Sequence, residues 1–82
     1  MTKQSIVSIL EIISDGYRVI GDNIIFEMND NSYNIFVISI KNYGNIYCNG
    51  IRTDNTNYLD FLNDGKMIAF FDYSAIEKIK LL

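Results

Sequence analysis

Two short runs constrain this chain more than any other feature. "NIFVISI" at residues 34–40 and "KMIAFF" at 66–71 are apolar at almost every position. Side chains alternate across a strand, so each run would offer apolar groups to both sides of a sheet. In the first, Ile35 and Val37 point one way and Phe36, Ile38 and Ile40 the other. Such runs mark central strands, covered on both faces. The chain has only 82 residues, which make one domain, residues 1–82, with few layers to spare. The second face must be covered by a sheet curled into a small barrel, by the segment 58–64, or by a second chain.

The first cover is a helix over residues 3–14. Ile6, Ile9, Leu10 and Ile13 follow the stripe of a 3.6-residue period. Val7 and Ile12 widen it, Thr2 or Ser5 caps its start, and Gly16 ends it in a left-handed conformation. Beyond Gly16 the period falls to two. Residues 17–20 and 24–28 read as strands around the turn "GDN". "NDNS" then links 24–28 to 33–40 as a β-hairpin. Residues 46–51 read as one strand nearer an edge, 58–65 as a short helix stopped by Gly65, and 66–71 as a central strand. A turn at 72–76 leads to a closing strand from 77 to 81. The reading is α+β: an N-terminal helix packed on an antiparallel sheet of about five strands, in its most closed form a curled small barrel.

Little in the chain supports catalysis. There is no histidine, so the commonest general base is missing. Cys48 shares parity with Ile46 and points inward as a small apolar filler. A lone cysteine forms no internal disulfide and no zinc site. "NDNS" and "DNTNYLD" lack the spacing of a calcium loop, and the isolated glycines form no phosphate loop. The expectation is a non-enzymatic protein with no cofactor and no metal. The first residues lack the pattern of a signal peptide, and no run is long enough to span a membrane. A cytoplasmic protein is expected. The abundance of Ile, Asn, Lys, Tyr and Phe over Ala and Pro points to A/T-rich coding, as in a bacterium or its phage.

Charge is unevenly spread. Residues 19–40 carry Asp22, Glu27 and Asp30 and no base; residues 53–65 carry Asp54, Asp60 and Asp64 and no base. Between them "KNYGNIYCNGIR" holds Lys41 and Arg52 among Tyr43 and Tyr47. Two bases in an acidic chain make direct nucleic-acid binding the weaker reading. The six acids, with Tyr58 as an aromatic anchor among them, are the candidate partner-binding set. Their counterpart would be a protein with a basic groove, such as a nuclease or other nucleic-acid-binding protein. The competing arrangement is a homodimer in which a second copy covers the open sheet face.

The first half also resembles a family. "SIVSILEIISD", then "GYRV", then "IIFEMNDNSYNIFVIS" follows the layout of small phage-encoded anti-CRISPR proteins of the type II-A, DNA-mimic kind. The resemblance covers residues 5–39; the C-terminal "KMIAFFDYSAIEKIKLL" is strand-like where that inhibitor has acid-rich helices. It implies an anti-defence inhibitor whose acidic side chains occupy a groove meant for DNA, acting in the cytosol of the host cell.

Overall fold

The computed structural model describes residues 1–29, 34–53 and 57–82. The order is α1 (Lys3–Ile13), β1 (Gly16–Ile20), β2 (Asn23–Glu27), β3 (Phe36–Ile40), β4 (Gly44–Cys48), β5 (Gly50–Thr53), β6 (Tyr58–Asn63), β7 (Lys66–Asp72), a 3-10 turn (Tyr73–Ala75) and β8 (Ile76–Leu81). The fold is α+β. A helix packs on two antiparallel sheets, β1-β2-β5-β6-β7 and β4-β3-β8, and no closed barrel forms among the described residues.

Helix α1 starts where the Thr2 hydroxyl accepts the Ser5 N–H, 3.1 Å away. Ile6 and Leu10 are its fully buried residues; Val7 and Ile9 pack against the core at its margin, while Ile12 faces solvent. The helix does not end on Gly16. Ser14 turns to an extended conformation and returns its N–H and its hydroxyl to the Leu10 carbonyl, so Gly16 is free to begin β1. The Met1 α-amino group donates to the carbonyls of Tyr73 and Ile76, which ties the helix to the start of β8.

The expected hairpin between residues 24–28 and 33–40 does not form. β2 pairs with β1 and β5, whereas β3 pairs with β4 and β8. The physical reason lies in the stripes. Phe26 on β2 and Phe36, Ile38 and Ile40 on β3 belong to one core cluster. Stacking two sheets face to face buries both stripes together, which side-by-side pairing would not do. The stretch 46–51 divides for the same reason. It breaks at Asn49, where the chain leaves one sheet and enters the other. The Asn49 carbonyl accepts the Met28 N–H, and its side chain clasps Asp64: Nδ2 donates to Oδ1 at 2.9 Å and the Asp64 N–H donates back at 3.0 Å.

Residues 58–63 form a strand rather than a helix. Asp64 and Gly65 have φ of 51° and 81°, the pair of left-handed values that a type I′ turn needs. That turn folds β7 back on β6 as a tight hairpin, which puts Leu59 and Phe61 in the core. The β1–β2 turn is of the type II′ kind, with φ 61° at Gly21.

The apolar runs now separate. β3 is central in its sheet, as expected: Phe36, Ile38 and Ile40 face the core. On its outer side Val37 is only 2% exposed, between its cross-strand neighbours Tyr47 and Lys80, whose ring and methylene stem can shield it. β7 is not central. It is the last strand of the five-stranded sheet, and Met67, Ile68 and Phe70 are about half-exposed. β4 lies at an edge as expected, but β5 is the middle strand of the larger sheet.

Candidate protein-binding face

Register defines the outer face of the five-stranded sheet. Tyr17, Phe26, Ile51, Phe61 and Ala69 lie in one cross-strand row, and Phe26, Ile51 and Phe61 are core residues. Alternation therefore sends the next row, Arg18, Ile25, Arg52, Asp60 and Phe70, to the opposite face. Glu27, Gly50, Leu62 and Met67 form a second outer row, with Ile68 as the extra residue of a bulge beside Met67. Tyr58 and Asp72 form a third.

This face carries a lattice of charge pairs and apolar groups. Arg18 holds Glu27 across β1 and β2, with both side chains largely exposed. Arg52 donates to Asp60 at 2.9 Å, and there the carboxylate is mostly buried. Ile25 and Leu62 are buried between these pairs. Tyr58 meets Phe70 edge to face, ring centres 5.5 Å apart at 86°, an orientation that sets a positive ring edge on a negative ring face. Around this centre stand exposed acids. Asp22 occupies the β1–β2 turn, Asp64 the β6–β7 turn, and Asp72 the end of β7. The Ser74 N–H and hydroxyl hold the Asp72 carboxyl below its usual range.

The candidate residues thus fall into two groups. Glu27, Tyr58 and Asp60 share the outer face. Asp64 joins them at its rim, where it and Glu27 line an open cleft of about 360 Å³ with Arg18, Asn49 and Leu62. Asp22 sits at the opposite end of the sheet, beyond the Ile20–Asn23 pair. Asp30 and Asp54 lie outside the described residues. Glu27 and Asp60 do not act as bare negative charges, because each is matched by an arginine. Phe70, Met67, Ile68 and the two arginines belong to this face and were absent from the expected set. The signal for them is "NDGK": an Asp-Gly pair between alternating apolar residues marks a tight hairpin, which would have placed residues 58–63 and 66–71 side by side.

The basic segment does not converge. The Tyr43 ring packs on Phe71, centres 5.0 Å apart; Tyr47 lies on the outer side of the smaller sheet, and Arg52 is on the larger one. Cys48 is buried beside Phe36, as its parity predicts, and burial pushes its thiol up to about 12, so it is protonated at neutral pH and a poor nucleophile. Among the described residues no group of three His, Cys, Asp or Glu side chains could hold a metal ion, and no helix is long and apolar enough to cross a membrane. Comparison of the chain with protein-family models, with curated proteins and with solved structures finds no match.

Proposed function

We propose that this chain is a non-enzymatic, phage-type inhibitor that docks the outer face of its five-stranded sheet on a basic surface of a host defence or DNA-processing protein. One observation carries this reading. The face combines an exposed aromatic pair, Tyr58 and Phe70, with half-exposed Met67 and Ile68 and an acidic rim of Asp22, Asp64 and Asp72. Large exposed apolar groups rimmed by charge are the anatomy of protein interfaces, with aromatics as central anchors. The acidic rim and the chain's net charge of −3 favour a basic counterpart. Groove occupancy here rests on aromatic anchoring with acidic steering. The paired states of Glu27 and Asp60 leave mimicry of a DNA backbone to the rim acids.

A photo-crosslinking amino acid placed at position 58 or 70, with position 47 on the other sheet as control, tests this in host lysate. Crosslinks from 58 and 70 to a basic nucleic-acid-processing protein are expected. Crosslinks only to the chain itself would replace this reading by the homodimer, and crosslinks only from position 47 would refute the face. With the captured partner, changing Asp22, Asp64 and Asp72 together to Asn should slow association and flatten its salt dependence, because rim charges act mainly on encounter.

A further inference from the structure

A second surface lies where strand β1 meets helix α1. β1 ends the five-stranded sheet, and all five of its residues are exposed. The two-residue turn fixes which backbone groups are free. Ile20 and Asn23 flank it and exchange both ladder bonds, so alternation turns the N–H and C=O groups of Tyr17 and Val19 away from β2, toward solvent. The turn and loop hydrogen bonds of the described residues do not involve these groups. Their side chains stand 63% exposed on the helix side of the sheet.

The edges at β7 and β8 are guarded. β7 carries the bulge at Ile68 and begins with Lys66. β8 carries Glu77, Lys78 and Lys80. Bulges and charges are usual means of blocking edge pairing. β1 has only Arg18, which is drawn back onto Glu27 of β2.

Beside this open edge is a recess of about 210 Å³ between helix and sheet, lined by Glu11, Tyr17, Ile24 and Phe26. Phe26 forms its buried floor, and the Tyr17 ring stands over it with centres 6.0 Å apart. Glu11 is exposed and makes no ion pair among the described residues. A strand added to β1 would hydrogen-bond Tyr17 and Val19 and turn alternate side chains into this recess.

We propose that the groove between β1 and α1 takes an extended segment of a partner protein as an added antiparallel strand, with an apolar side chain over Phe26 and a lysine or arginine reaching Glu11. The occupant is a foreign segment rather than a second copy for an electrostatic reason. A second copy's β1 has one base, Arg18, and Glu27 holds it, so that strand brings no free cation to Glu11.

The test uses short displayed peptides selected on the purified chain and then titrated by NMR. Selected peptides should alternate apolar and polar residues, include a basic one, and slow exchange of the Tyr17 and Val19 amide protons. Val19→Pro removes an N–H that makes no bond within the sheet, so it should keep the fold while weakening these peptides by about tenfold or more. Glu11→Lys, on the exposed side of the helix, should switch selection from basic to acidic peptides, and it serves should Val19→Pro fail to fold. Three outcomes would overturn the proposal: peptides with no charge preference, binding that leaves the Tyr17 and Val19 amides unchanged, or a dimer in sedimentation that Val19→Pro abolishes, which would assign the edge to a second copy.

Discussion

β3 and β7 look alike in sequence and end in opposite environments. Both are short, apolar on both sides and flanked by turns. β3 lies between two strands, with Phe36 and Ile38 fully buried. β7 ends its sheet, and Phe70 is 54% exposed. The difference comes from neighbours. β3 has a partner on each side, and its outer Val37 is small enough to be shielded by Tyr47 and Lys80. β7 has β6 on one side only, so its outer Met67, Ile68 and Phe70 lack a neighbouring strand beyond them and stay about half-exposed, whereas Ile25 and Leu62 on the inner strands of the same face are buried. An apolar run therefore specifies a strand but not its burial. Where the strand is an edge, the excess apolar surface becomes a property of the exterior.

The largest contrast should appear in stability. Ile38→Ala removes atoms from a packed core and should cost about 2–5 kcal/mol. Phe70→Ala should cost below about 1 kcal/mol, as exposed sites do. Denaturant midpoints for both variants check this. Equal losses would return β7 to the core and undo the comparison.

A second measurement probes the β3 side through Cys48, which is paired with Phe36. Burial raises its thiol from 9.0 to about 12. The folded state then keeps a proton that the unfolded state releases above about pH 9, so this group's contribution to stability falls as pH rises from about 9 to about 12. Unfolding free energy measured against pH should fall less steeply in Cys48→Ala than in the natural chain. Identical slopes would mean that the β3–β4 side is open to water.

The smallest contrast lies within the outer face of the β7 sheet. Asp60→Asn leaves Arg52 facing a weaker partner in a partly buried site and should cost about 1–2 kcal/mol. Glu27→Gln breaks an exposed pair and should cost below about 1 kcal/mol. Urea titrations at low and high salt separate them, since only the exposed pair is well screened.

Much of this architecture is legible in the residues. The stripe of Ile6 and Leu10, the turn at Gly21 and the alternation of Phe36, Ile38 and Ile40 are local patterns, and each appears where its period places it. Partner choice is not local. Nothing in "NDNS" says that the strands on either side enter different sheets, because that follows from both stripes sharing one core. Residues 58–63 failed for another reason. Tyr58, Leu59 and Leu62 satisfy a helical spacing, while Leu59 and Phe61 satisfy a strand, and a run this short cannot separate the two. Asp64 and Gly65 decide it, since they require a hairpin turn. The candidate face was legible only in part: Glu27, Tyr58, Asp60 and, at its rim, Asp64 belong to it, but Arg18 and Arg52 join through cross-strand registers that no spacing reveals.

The position of β8 bears on how the chain reaches this state. β3 is the middle of the smaller sheet, yet one of its two partners arrives about 40 residues later. The β1–β2 and β6–β7 hairpins close through two-residue turns and can form early, at little entropic cost. The smaller sheet must wait for Ile76–Leu81. On a ribosome, the most apolar strand of the protein would be synthesised well before its last neighbour. During that interval its backbone is open along one side, in a segment well suited to pairing with another chain. Slow decoding between β7 and β8 would lengthen that exposure, so the rate at which the last strand is delivered sets the balance between folding and aggregation.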